Sequence, residues 1–363
     1  MIIAFYYEYI YMIFVTMFTL IIIYYYYNNA YDVFGKKSAR LDYYHFSIFI
    51  CILLCLFIGL RPISPVFVDM TQYWGLFNRY YGEPFQFVWQ TRNKIYDNLM
   101  AFLVSIRFEP TLFYLLIATT YFTCILISCR KIFPKDTCLV YVMYLGAFST
   151  FSYATNGIKA GVAAAVFLAA LPYKNELKKA LPILFISYGL HHSMIVPIAA
   201  YLAAVYSNKY SRFIKFWWFS FFMAALKITY FQSLLGDMAS DADDERAADY
   251  LIVSNSTTHV SGFRPDFILY SALPLFVGYY AIKKRWIRSD FYVFLWSVYT
   301  LTNSVFLLCT YGTYINRIAY LSWLMYPIVL IYPFIFMKKN NLQFTYLAFI
   351  VLGHLSFTLF MNF

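Results

Sequence analysis

The chain has 363 residues, of which 62% are hydrophobic and only 12% charged, with a mean hydropathy of +0.62. Ordinary soluble domains carry about 25% charged residues, so the composition excludes a chain that folds in water and points to an all-α, polytopic bundle of transmembrane helices. A formal net charge of +11 would suggest nucleic acid in a soluble protein, but here the basic residues fall in short clusters between apolar runs. That is the pattern that sets membrane topology, and it excludes nucleic acid as a partner.

A helix needs about 20 apolar residues to cross the hydrocarbon core, with a range near 17 to 25. In chain order the candidate spans are 8–27, 44–60, 111–129, 138–153, 157–173, 180–190, 193–206, 216–234, 267–282, 291–309, 317–336 and 342–361, twelve in all, two of them short. The first run has no basic segment ahead of it and no small-residue cleavage site, so it is expected to stay as a helix. Aromatic residues make up 23% of the chain, with 38 Tyr and 39 Phe. Tyrosine clusters at 24–27, 43–44, 80–81 and 279–280 lie near the ends of apolar runs, as interfacial belts do. The cysteines, Cys51, Cys55, Cys124, Cys129, Cys138 and Cys309, lie in or beside apolar segments without C-x-x-C spacing and read as small hydrophobes.

The connections alternate in charge. One set carries Lys36, Lys37, Arg40, then Arg130, Lys131, Lys135, then Lys174, Lys178, Lys179, then Lys209, Arg212, Lys215, then Lys283, Lys284, Arg285, Arg288, and last Lys338, Lys339. Together these hold 18 of the 28 basic residues, which makes their loops cytoplasmic. Both termini are then outside, and the single membrane domain, 1–363, presents two larger outer loops, 61–110 and 236–266. The stretch 94–107 contains a short apolar run but also Asp97 and Asn98, so an interfacial or re-entrant helix is expected there.

Against this topology the informative residues are the basic ones left outside: Arg61, Arg79, Arg92, Lys94, Arg107, Lys159, Arg246, Arg264 and Arg317, with Lys227 inside an apolar run. Arg61, Lys159, Arg264 and Arg317 lie at the outer mouths of different helices. An ionisable group facing lipid is costly there, so they should face a cavity or a partner, unless they snorkel to lipid phosphates as anchors. Gathered cations suggest an anionic ligand, and a diphosphate fits because guanidinium forks match phosphate oxygens. Asp69, eight residues after Arg61, could accept a proton or orient a sugar hydroxyl; a salt bridge to Arg61 or Arg79 is the structural alternative. His191 and His192 form a turn between two short helices, where histidine can act as a base near neutral pH. Neighbouring histidines rarely chelate one ion, so no metal is expected. The acidic run Asp237, Asp241, Asp243, Asp244, Glu245 and Asp249 reads as a solvated loop that could cover the site, and Asn255-Ser256-Thr257 matches a glycosylation sequon.

Several short motifs resemble those of the EpsG-type and Wzy-type bacterial polysaccharide polymerases. Gly59-Leu60-Arg61 with Asp69 and Tyr73 is similar to that family's opening G-L-R, D, Y pattern. Asn156-Gly157-Ile158-Lys159 resembles its N-G-I-R-Q, and His191-His192-Ser193 its H-x-S turn. Gly262-Phe263-Arg264-Pro265-Asp266-Phe267 looks like its F-R-x-D-F, and Asn316-Arg317 its late N-R. The matches come in family order. The departure is Lys159-Ala160 in place of Arg-Gln, which keeps a cation and loses the fork and an amide.

The resemblance implies a multi-pass, GT-C-like glycosyltransferase of the bacterial cytoplasmic (inner) membrane, serving O-antigen, capsule or exopolysaccharide synthesis. Its active site would lie on the extracytoplasmic, periplasmic face. Donor and acceptor would be oligosaccharide repeat units on undecaprenyl diphosphate, and membrane lipid, a chain-length regulator and a flippase would be its partners. No cofactor is implied. On this reading Arg61, Lys159, Arg264 and Arg317 bind the diphosphates, and Asp69 or His191 removes the acceptor proton with inversion of the anomeric centre. Tyr73, Asn156, Asp266 and Asn316 would contact sugar or support the cations. Two other functions would also use an outer-face site. A transporter or flippase of lipid-linked sugars should show inverted repeats, which are not visible; a membrane acyltransferase acting on surface glycan leaves the ordered motifs unexplained.

Overall fold

The computed structural model describes residues 3–31, 43–207, 209–241, 251, 262–337 and 343–362. The basic residues Lys36, Lys37, Arg40, Arg246, Lys338 and Lys339, the acidic Asp243, Asp244, Glu245 and Asp249, and the sequon at 255–257 lie outside the described residues.

The described chain is helical: α1 (Tyr7–Tyr31), α2 (Tyr44–Gly59), α3 (Val68–Tyr80), α4 (Lys94–Ser105), α5 (Pro110–Ile132), α6 (Thr137–Leu145), α7 (Phe148–Thr155), α8 (Ile158–Ala170), α9 (Leu177–Leu190), α10 (Ile195–Tyr206), α11 (Tyr210–Ala225), α12 (Tyr230–Asp241), α13 (Pro265–Lys283), α14 (Asp290–Leu308), α15 (Ile315–Trp323), α16 (Tyr326–Phe336) and α17 (Gln343–Asn362). Six segments are long and apolar enough to cross a membrane: Ala4–Tyr26, Pro110–Ile132, Pro265–Lys283, Asp290–Leu308, Ile315–Phe336 and Gln343–Asn362. The chain forms two compact units, Met1–Met194 with Met337–Phe363, and Ile195–Phe336.

In the first unit α8 is the hub, packed by α5, α7 and α9, while α2 lies on α5 and α17 on α1. Lipid tails are as apolar as leucine, so such helices associate through close packing of small residues and a few polar bonds. The sequence of α8, with Gly161 and Ala163 to Ala165 all buried, supplies that surface. A Cβ at Gly161 would stand 2.4 Å from the Tyr153 carbonyl oxygen, so only glycine lets α7 and α8 meet this closely. Ser187 of α9 donates to the Ala163 carbonyl at 2.8 Å, closing the other side of α8.

One expected span is broken. The stretch 138–153 forms two helices, α6 and α7, bent by 71° at Gly146-Ala147. A bend frees carbonyls that must be paired again where water is absent. Tyr11 donates to Leu145 O at 2.8 Å and Thr150 donates to Tyr144 O at 2.7 Å, so the local sequence carries its own repair.

In the second unit α14 packs against α10, α11, α13 and α15. Polar side chains join these helices: Trp217 donates to Asn303 Oδ1 at 2.8 Å, and Asn303 donates to Ser322 at 3.1 Å. A second expected span, 216–234, is also interrupted. The helix α11 stops at Ala225, because Lys227 adopts a left-handed conformation, φ 56°, and α12 starts at Tyr230. The Lys227 N–H bonds to Ala224 O at 3.1 Å and that of Ile228 to Met223 O at 2.9 Å, the paired bonds of a Schellman cap. The same cap ends α4 at Arg107, φ 57°, and α13 at Arg285, φ 57°. At each of these helix ends a cation, favoured by the terminal carbonyls, occupies the place glycine usually takes.

The stretch 94–107 forms α4, twelve residues long and too short to span. Its N-terminal turn faces the polar residues described next.

Candidate functional site

Within the first unit, the loop residue after α2, the start of α3, the N-terminal half of α4, the α7–α8 turn and the α9 terminus form one connected network. Arg61 is buried, 2% exposed, just past α2. Its guanidinium donates to Ile58 O at 2.7 Å and to Thr155 O at 3.0 Å, and lies over the rings of Phe67 and Tyr114 at 5.1 and 5.6 Å. Burial lowers its pKa to about 10, so it remains a cation at neutral pH. Ile58 and Thr155 stand at the last turns of α2 and α7, where carbonyls lack helical partners and the dipole favours positive charge. Arg61 therefore joins two helix C-termini. Two of its nitrogens thus meet the protein's own carbonyls, while its Nε, also buried, makes no hydrogen bond among the described residues.

Thr155 leads into the α7–α8 turn. Asn156 accepts from the Val68 N–H at 3.0 Å, fixing that turn to the start of α3, whose first turn carries Asp69. One turn later Tyr73 packs its ring against Tyr96 of α4, centroids 5.6 Å apart. Lys159, in the first turn of α8, pairs with Asp97 at 2.6 Å and lies over the rings of Tyr96 at 4.8 Å and Tyr73 at 5.8 Å. Both members of this pair are mostly buried, at 15% and 20% side-chain exposure. Asp97 also accepts from Thr91.

The Tyr96 side chain is fully buried, and its hydroxyl makes no hydrogen bond among the described residues. Burial pushes its pKa well above the usual tyrosine value, so the phenol stays protonated. An orphaned buried hydroxyl costs roughly 1–3 kcal/mol.

The histidine turn closes the network. His191 caps α9 and its Nδ1 is hydrogen-bonded with Ser193 Oγ at 2.7 Å. His192 stacks on it, ring centroids 5.0 Å apart, and binds Asn93, the N-cap of α4, through its backbone N–H and Nδ1, each at 3.0 Å. Sequence reasoning picked Arg61, Asp69, Tyr73, Asn156, Lys159 and His191, and all belong to this cluster. It missed Asn93, Tyr96 and Asp97 as site residues. The available signal was Asp97 itself, a carboxylate in a stretch otherwise apolar enough to be buried.

The second unit holds the remaining candidates. Arg264 N-caps α13 and meets Asp266, two residues on, with both ends of its fork, one bond being Nε to Oδ1 at 2.9 Å. It also lies over the Phe267 ring at 4.6 Å. The pair is open, at 37% and 32% side-chain exposure. Gly262, φ 93°, ties the residues before Arg264 to Thr310 through its N–H at 2.9 Å. Arg317 is exposed in the first turn of α15 and lies over Tyr314 at 5.1 Å. Asn316 keeps a buried Oδ1 that makes no hydrogen bond among the described residues. Lys227 lies over the Tyr311 ring at 5.7 Å, and it serves as a helix cap rather than as a charge within a span.

No curated protein and no solved structure matches the chain. A family model described as EpsG family matches residues 43–363, which include every candidate residue above, all of the second unit and most of the first. The chain thus belongs to the EpsG family, whose members are polysaccharide-polymerase-type membrane proteins.

Proposed function

We propose that this chain joins undecaprenyl-diphosphate-linked oligosaccharide repeat units at the outer face of the bacterial cytoplasmic membrane. It acts as a GT-C-like glycosyltransferase that inverts the anomeric centre without a metal, with roughly twelve membrane segments and both termini outside. The observation that carries this reading is the convergence of Asp69, Tyr73, Asn156, Lys159 and His191 around α4, where the Lys159 ammonium, paired with Asp97, lies over the Tyr96 ring.

Lys159 receives an oxygen of the leaving diphosphate, where its positive charge stabilises the negative charge that develops. Asp97 keeps the ammonium in place before the substrate arrives. Arg61 supports that turn through Thr155 rather than touching phosphate. Within the second unit, Arg264, partly exposed and aligned by Asp266, and Arg317 next to Asn316 bind a diphosphate. Asp69 or His191 takes the proton of the acceptor hydroxyl, and Tyr73 and Asn156 border the sugar. A flippase supplying the repeat unit and a chain-length regulator are the expected partners.

The test is turnover of the purified, lipid-linked native repeat unit, read as a ladder on a gel. The wild type should give a ladder that persists with a chelator, and Lys159→Ala, Arg264→Ala and Arg317→Ala should abolish it. Asp69→Asn and His191→Ala then identify the base. A folded wild type that gives no ladder with its host's own repeat unit overturns the proposal.

A further inference from the structure

The strap between α3 and α4 carries the most exposed aromatic surface next to the candidate site. Trp89 is 73% exposed and Phe87 43%, in a stretch where aromatic residues stand at every second position: Phe85-Gln86-Phe87-Val88-Trp89-Gln90. The strap has no helix of its own but is firmly held. Asn98 of α4, itself buried, reads Val88 on both sides, accepting from its N–H at 2.7 Å and donating to its carbonyl at 3.2 Å. Lys94 donates to the Trp89 carbonyl at 3.3 Å and sits 5.7 Å from the indole. Phe87 and Trp89 meet at 4.4 Å with their planes tilted by 53°. Two large rings, 73% and 43% exposed, are thus held in the open by backbone clamps, with Phe87 and Lys94 against part of the indole.

We infer that Phe87 and Trp89 form a sugar-stacking platform that receives the glycan part of the substrate. This rests on the function proposed above and adds a subsite to it. A pyranose presents a face of polarised C–H bonds, which suits the electron-rich face of an indole, and a rim of hydroxyls, which suits amides and cations. The platform has both parts: the two rings, and the exposed Gln86, Gln90 and Lys94 beside them. It is also continuous with the site. Thr91, two residues on, donates to Asp97, the partner of Lys159, and Asn93 holds His192. A glycan resting on Trp89 therefore lies along the strap that leads to Lys159. A membrane anchor is the other common use of an exposed tryptophan, and quenching by brominated lipid separates the two.

The experiment uses the full chain in lipid nanodiscs. Trp89→Ala should raise KM for the lipid-linked repeat unit about tenfold with kcat little changed, and Trp89→Phe, which keeps a ring, should restore it to within about threefold. Soluble oligosaccharide released from the host's own polysaccharide should change the emission that is lost in Trp89→Phe. An unchanged KM in Trp89→Ala overturns the inference, as does strong quenching of that emission by brominated phospholipid. A wild type without any ladder counts against the polymerase alone. The platform is then decided by the soluble glycan, a change in Trp89 emission supporting it and no change overturning it.

Discussion

The two units place their cations differently. In the first, Arg61 and Lys159 are enclosed, one by two carbonyls and two rings, the other by Asp97 and two tyrosines. In the second, Arg264 is partly exposed and lies over Phe267, and Arg317 is exposed and lies over Tyr314. Motif position alone would treat these four as equals. Burial separates them: replacing an enclosed cation strips the fold of a partner, whereas one held open by a single carboxylate can be replaced at little cost to the fold, whatever ligand either of them meets.

The largest expected effect tests the enclosed side of that comparison. Arg61→Ala removes the partner of two helix-terminal carbonyls and should destabilise the protein by about 3 kcal/mol, measured by thermal unfolding in detergent. Arg61→Lys should recover only part, since a point charge cannot serve both carbonyls as the planar fork does. A stable but inactive Arg61→Ala would break the comparison and return Arg61 to the substrate.

Next, Lys159→Ala leaves the Asp97 carboxylate mostly buried and unpaired, and should cost about 2 kcal/mol. The double variant with Asp97→Ala should lose less than the two single variants combined, by about 1 kcal/mol or more, as a directly coupled pair requires. Additive losses would mean that the 2.6 Å contact contributes nothing.

On the open side, Arg264→Ala should leave the unfolding temperature within about 2 °C and lower kcat/KM at least about a hundredfold. Asp266→Asn should lower it less, because the arginine stays but loses its alignment. The smallest effect belongs to Lys227→Gly. Glycine occupies φ near +56° without strain, so this variant should gain about 0.5–1 kcal/mol of stability with activity unchanged.

Much of this was legible in the sequence, for identifiable reasons. Long apolar runs such as Pro110–Ile132 and Gln343–Asn362 declare themselves by length and hydropathy. Short polar motifs picked out residues that meet in space, because Arg61, Asp69 and Asn156 each sit beside a helix terminus, where spacing along the chain fixes position. What the sequence hid are choices made by a few backbone angles. Nothing local distinguishes 138–153 from a straight helix, since the bend at Gly146-Ala147 depends on hydroxyls of Tyr11 and Thr150 reaching its carbonyls. Lys227 read as a charge inside a span because a left-handed lysine is uncommon. The pairing of Lys159 with Asp97 joins residues 62 apart on different helices, and no periodicity reports that.

The bend between α6 and α7 also sets a distance. The nine residues of α6 and eight of α7 rise about 1.5 Å each, and with 71° between them the helical rise sums to about 21 Å in any direction, against a hydrocarbon core of about 30 Å. Straightened, the same seventeen residues would rise about 26 Å, so the bend draws the end of α7, and the Asn156–Lys159 turn beyond it, about 5 Å nearer the start of α6 than an unbroken span would.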